Sequence, residues 1–408
     1  MSFNGLQTLA LAAIVIIVGQ ILVKRVTFLS RYNFPSPVIG GLLFALLFFI
    51  LKEAGGVEIK FEKTFQEPLM IAFFASLGFG ASWISLKRGG RDVLFFLFLS
   101  VIFLVLQIAL GIGIAVGMGM PSVSGVLMSS VALAGGPGTS LAFAPLFESA
   151  GVANATTLGL TTALGGILMG GILGTPLATY LIGRDKLQVS GQFVKSKEVK
   201  TITKETNDLP FAEIGIEAHE KLSPDTFIKH ALALILFVGL GTYVSPIFSK
   251  MGVTLPIYIG SMIVAAIIRN IDDQFNLFGL KEETLEELGN TSLSVFIAMA
   301  IVTLDLSQLK NAALPVLVSL ILQGALVVAG AIFLVYKFMG KNYESAIISS
   351  GFVGFMMGTT ANALANMSSL TRKYGIAPKA FLIVPLVGSC FIDFINAAFI
   401  TALINLLK

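Results

Sequence analysis

The chain has 408 residues, of which 55% are hydrophobic and only 12% charged, with a mean hydropathy of +0.90. A soluble domain carries about a quarter of its residues as charges, so the polar surface needed to cover a cytosolic enzyme or a nucleic-acid binder is missing. One cysteine (Cys390) and two histidines (His219, His230) exclude a disulfide framework and a Cys- or His-rich metal site. The net charge of +4 therefore matters for where its charges lie.

In chain order, apolar stretches long enough for membrane spans fall near 5–23, 35–51, 68–86 and 92–118. A different segment follows near 122–148, apolar but interrupted midway by Gly135-Gly136-Pro137-Gly138. A fifth span near 152–182 closes the first half. Residues 183–226 form a charged linker, and 16 charges of mixed sign crowd residues 183–229. The second half, 227–408, repeats the order: spans near 227–249, 254–270, 288–308 and 312–337, a broken segment near 342–370, and a last span near 376–407. The second break is Gly358-Thr359-Thr360. The first stretch lacks a positive n-region and is followed by Lys24-Arg25, so it is not a cleaved signal peptide.

Each broken half-segment is about a dozen residues, too short to cross a hydrocarbon core of about 30 Å. Basic residues concentrate in cytoplasmic loops, and this decides how the breaks are read. With both segments as re-entrant hairpins and both termini outside, 21 of the 27 Lys and Arg fall inside. With both as full spans the split is 11 to 16 in either orientation. The expected fold is thus an all-α integral membrane protein of two five-span repeats, each with a re-entrant hairpin between its fourth and fifth spans.

The halves also match residue by residue. Ser129-Ser130 precede Gly138-Thr139-Ser140 as Ser349-Ser350 precede Gly358-Thr359-Thr360, and Gly151-Val152-Ala153 parallels Gly375-Ile376-Ala377. Five spans is an odd number, so the repeats must run in opposite senses, the layout of secondary transporters.

Broken backbone at membrane depth is tolerated only against protein or water. The half-helix N-termini at the tips offer free N–H groups to a carboxylate, and the preceding C-termini offer carbonyls to a cation. Gly136, Gly138, Thr139 and Ser140 at the first tip are candidates for substrate binding, as are Gly358, Thr359 and Thr360 at the second, with Asn362 and Asn366 just beyond it. Asp393 lies near the middle of the last span with Asn396 three positions on, and no Lys or Arg at similar depth balances it. An intramembrane carboxylate marks an ion or proton path. A bound Na⁺ at Asp393, Asn396, Thr359 and Thr360 is the simplest partner, and a protonated Asp393 the alternative. Gln107 and Gln323, at matched places in the halves, read as interhelical hydrogen-bonding groups. Asp305 reads as interfacial, and His219 and His230 as solvent-exposed residues in or beside the linker.

Several stretches together make a specific resemblance. They are Pro37 to Leu43, Leu86 to Arg91, the first tip Gly135 to Thr139, Leu288 to Ser294, Met339 to Tyr343, Ala363 to Met367, and Phe391-Ile392-Asp393-Phe394-Ile395-Asn396-Ala397. Across nearly its whole length the chain resembles the bacterial sodium/glutamate symporter family. That resemblance implies ten spans with two oppositely oriented re-entrant loops, and Na⁺-coupled uptake of L-glutamate across the inner membrane. It also implies a homodimer that moves its site by an elevator-like step, with no enzymatic cofactor. Pro137 stands where the family typically has histidine, and the second tip differs too. A symporter of another organic anion, coupled to Na⁺ or H⁺, therefore stays open as an alternative, and a channel is the rival of a different class.

Overall fold

The computed structural model describes residues 2–32, 34–55, 59–187, 224–250, 256–303 and 309–407. Most of the charged linker, His219 and Asp305 lie outside the described residues. What is described is almost wholly helical, apart from a two-residue parallel pairing of Ser2–Phe3 with Lys60–Phe61.

The first helix, α1 (Gly5–Arg25), starts at a capping box. Asn4 accepts from the Gln7 N–H while Gln7 accepts from the Asn4 N–H, and Lys24 and Arg25 occupy the last turn. Besides two short helices, Thr27–Arg31 and Trp83–Arg88, the first half then holds α2 (Ser36–Gly55), α3 (Gln66–Gly80), α4 (Gly90–Gly117), α5 (Ser122–Val126), α6 (Gly136–Ser149) and α7 (Ala155–Arg184). In the second half they are α8 (Pro224–Lys250), α9 (Ile257–Phe275), α10 (Glu282–Val302), α11 (Leu309–Ala329), α12 (Tyr343–Met356), α13 (Thr360–Tyr374), α14 (Pro378–Leu386) and α15 (Ile392–Leu407). Widened π-type turns extend α5 over Leu127–Val131, extend α11 over Gly330–Tyr336, and join α14 to α15 over Val387–Phe391.

Six stretches among the described residues are long and apolar enough to cross a membrane: Gly5–Arg25, Gly90–Gly117, Ala155–Arg184, Pro224–Phe248, Glu282–Val302 and Ala313–Tyr336. The other four expected spans also coincide with helices, and each has a local reason for falling short. The helix α2 ends in a charged turn, and α3 stops at Gly80, where the backbone leaves the helix at Ala81. Arg269, Asp272 and Asp273 load the end of α9, and the final helix is divided by its π-type turn.

The helices pack as two bodies. The first three long helices of each half, α1, α2, α3, α8, α9 and α10, form one. The other holds α4 to α7 and α11 to α15. Small residues let backbones touch within the first body: a Cβ on Gly40 would lie 2.0 Å from the Val15 carbonyl oxygen, so α1 and α2 meet without side chains between them. In the second body, Phe96, Phe103, Phe352 and Phe355 pack edge to face in the core. There α12 and α13 fold back on each other so closely that a Cβ on Gly354 would sit 2.5 Å from the Ala363 backbone.

His230 departs from expectation. It is buried, its Nδ1 faces the Thr226 carbonyl at 2.6 Å, and its Nε2 accepts from the Lys281 N–H at 2.7 Å. Because α8 packs beside the start of α10, the imidazole satisfies a free N–H at that helix end instead of facing solvent.

Candidate functional site

The chain breaks define the site. At the first, the widened turn after α5 includes Ser129 at φ −118° and ψ −108°, so the helix ends in a kink before Gly135 opens α6. Gly136 sits at φ +69°, a conformation that glycine adopts freely. At the second, Thr359 caps α13 by accepting from the Asn362 N–H at 3.4 Å. The tips meet: a Cβ on Gly136 would lie 3.4 Å from the Gly358 carbonyl oxygen and 3.7 Å from Thr359 Cγ2.

Beside them a cavity of about 620 Å³ opens between the two bodies. The hairpin-bearing body contributes Gly135, Pro137, Gly138, Gly358, Thr359, Thr360 and Asp393 to its wall; the other contributes Gln20, Ser36, Ser76, Glu282, Glu286 and Asn290. This volume lies within the usual range for small-molecule sites. Among the described residues, its three lining carboxylates, Glu282, Glu286 and Asp393, face no lining Lys or Arg. Arg269 stands behind Glu282, its guanidinium 3.1 Å from Glu282 Oε2 and 3.0 Å from Asp273 Oδ1. Asp393 itself has neither hydrogen bond nor ion pair among the described residues. Such a site attracts cations and, while empty of them, repels an anion.

The remaining residues singled out in the sequence lie behind this wall. Thr139 and Ser140 are buried one turn into α6. Asn362 and Asn366 occupy the face of α13 opposite to Thr360, Ala361 and Leu364; their Nδ2 groups donate to the Ile167 and Gly170 carbonyls of α7 at 2.8 and 2.9 Å. Asn396 donates to the Ser130 carbonyl at 2.9 Å. Gln107 donates to the Met356 carbonyl at 3.0 Å, and Gln323 to the Gln107 carbonyl at 2.9 Å.

Glu282 and Glu286 were not singled out in the sequence. The signal was there: Glu282, Glu286, Asn290 and Ser294 recur at i+4 on one helical face. Starting the span near 288 leaves both acids in a loop, whereas acidic side chains in the first turn favour a helix that starts at Glu282.

Apolar helices of spanning length, with a solute-sized cavity between two helical bodies, define a polytopic membrane protein with an internal cavity. A family profile described as sodium/glutamate symporter matches residues 1–376, and the chain belongs to that family. The sodium/glutamate symporter of Escherichia coli (strain K12) is 36% identical over 395 residues, covering 97% of this chain and 96% of its own length. That of Haemophilus influenzae is 35% identical over 410 residues, covering 100% of this chain and 99% of its own length.

Proposed function

We propose that this chain is a secondary transporter of the bacterial inner membrane that carries Na⁺ and L-glutamate into the cell together. The observation that carries the reading is the meeting of both tips with Asp393 on the wall of one cavity. Na⁺ binds Asp393 with the hydroxyls of Thr359 and Thr360, and Asn396 supports the same helix from behind. The glutamate carboxylates take the N–H groups of the two tips around Gly136, Gly138 and Gly358. Thr139, Ser140, Asn362 and Asn366 hold the tips in shape. The carboxylate-lined wall makes the order of binding follow from charge: cation first, then the anion whose repulsion the cation has removed.

The fold in this reading is two inverted repeats of five spans, each with a re-entrant hairpin, and both termini are periplasmic. The packing supports it, since contacts pair up under exchange of the halves. The α1–α2 contact has its counterpart in α8–α9, and α2–α10 in α9–α3. Gln20, Ser36 and Glu282 lie toward the helix ends that carry Arg25, Arg31 and Lys281, so the cavity opens inward. Alternating access then moves the hairpin-bearing body against the other in an elevator-like step, within a homodimer.

The test is uptake of labelled L-glutamate by proteoliposomes. Accumulation above equilibrium while an ion gradient lasts is expected, and equilibration alone would mean a channel. A second reading, coupling to protons through Asp393, rests on that carboxylate having no partner among the described residues; a pH gradient imposed at constant Na⁺ separates the two.

A further inference from the structure

From the oxygens around the first tip we infer a second cation site, separate from Asp393 and lying behind the cavity wall, formed by Ser130 and Asn396. The inference rests on the sodium coupling proposed above. Both residues are fully buried or nearly so, at 0% and 1% exposure. The Ser130 carbonyl, at the base of the tip, accepts from the Ala134 and Gly135 N–H groups at 3.2 and 3.0 Å and from Asn396 Nδ2 at 2.9 Å. That last bond fixes the Asn396 amide: its nitrogen must face the carbonyl, so its oxygen faces away with no freedom to flip. The oxygen, Asn396 Oδ1, has no hydrogen-bond partner among the described residues, and neither has Ser130 Oγ; the two are not bonded to each other.

A buried polar atom left without a partner costs about 1–3 kcal/mol, and here two such oxygens belong to the two residues that this hydrogen bond joins. Asn396 Oδ1 can only accept, so what completes it is a donor or a cation. The neighbouring backbone is already opened by the widened turn at Leu127–Val131, a type of irregularity that recurs at functional sites. With neutral oxygens and no carboxylate, the pair suits a monovalent cation of Na⁺ size and not a divalent one.

The placement gives the site a role. Asn396 belongs to α15, which also carries Asp393, whereas Ser130 belongs to the first tip. A cation held between them fastens the helix of one half to the tip of the other, so the first tip is shaped for substrate only after the ion has bound.

The experiment uses the full chain in proteoliposomes and measures labelled Na⁺ and labelled L-glutamate uptake together, for wild type, Ser130→Ala and Asn396→Ser. Loss of even a supporting group costs a metal site roughly tenfold or more in affinity, so both variants should raise the Na⁺ half-saturation by about that factor. They should also lower the number of Na⁺ moved per glutamate by one. A purely structural role would reduce the rate equally at every Na⁺ concentration and leave the ratio unchanged. That result in Ser130→Ala, which removes one oxygen and little volume, would overturn the inference and leave water or packing as the explanation. A wild type with no Na⁺ dependence would instead refute the sodium coupling itself, and the second site with it.

Discussion

Asp393 is the residue on which the transport reading most depends. A carboxylate at membrane depth costs several kcal/mol unless something balances it, and among the described residues no cationic side chain lines the cavity it faces. Asp393→Asn keeps the volume and removes the charge. We expect that variant to insert into the membrane normally and to lose Na⁺-driven uptake by at least a hundredfold, the size of a lost charged ligand in an enclosed site. Normal Na⁺ dependence in Asp393→Asn would remove it from the site. The residue scale also shows what spacing alone does not resolve. Asp393 and Asn396, three positions apart, differ by about 60° around the helix. On a helix at the seam between a cavity and a packed body, that rotation sends Asp393 to the cavity wall and Asn396 to the Ser130 carbonyl. In the same way Asn362 and Asn366 share one face, but it is the face turned to α7.

At the scale of elements, the second hairpin depends on close approach of its arms. A Cβ on Gly354 would lie 2.5 Å from the Ala363 backbone, where no side chain can yield. Gly354→Val should destabilise the protein by about 1–3 kcal/mol, the cost of overpacking, and lower its thermal unfolding temperature; an unchanged temperature would mean that the arms are free to separate. The helix end at α7 gives a pH test. Asp185 accepts from Arg184 at 2.8 and 2.9 Å and from the Tyr336 hydroxyl at 2.5 Å, and these bonds hold its carboxyl well below the usual range. A depressed folded-state pKa contributes stability above the unfolded value of about 3.9 and loses it as pH falls toward the folded value. Asp185→Asn should therefore unfold at a lower temperature than wild type near pH 7, the gap closing below pH ~4. A gap that did not depend on pH would exclude the carboxylate as its source. The elements themselves were largely legible in the sequence because apolar runs and glycine clusters are local signals. All ten expected spans overlap helices and both breaks fall between one helix and the next, with span ends shifted by up to six residues among the described residues. Helix starts were less legible: the start of α10 at Glu282 depends on a charged turn, which hydropathy alone assigns to a loop.

For the whole molecule, what was legible was the class, an all-helical membrane protein, and what was not was proximity. Charge asymmetry and the matched tips are the grounds for the proposal that the two halves run in opposite senses. Nothing local, however, announces that α10 of one body faces tips from both halves across a cavity, because that juxtaposition arises only when the bodies pack. The orientation is testable directly. A cysteine at Ser2 should react with a membrane-impermeant maleimide added to intact cells, and one at Lys87 only after the membrane is opened. The reverse pattern would invert the topology and with it the inward direction of the cavity. The central claim is coupling, and uptake of labelled L-glutamate into proteoliposomes tests it most directly, with an inward Na⁺ gradient in one set and choline in place of Na⁺ in the other at the same pH. Accumulation with Na⁺ and none with choline is the expected result; equal uptake in the two would contradict Na⁺-coupled transport.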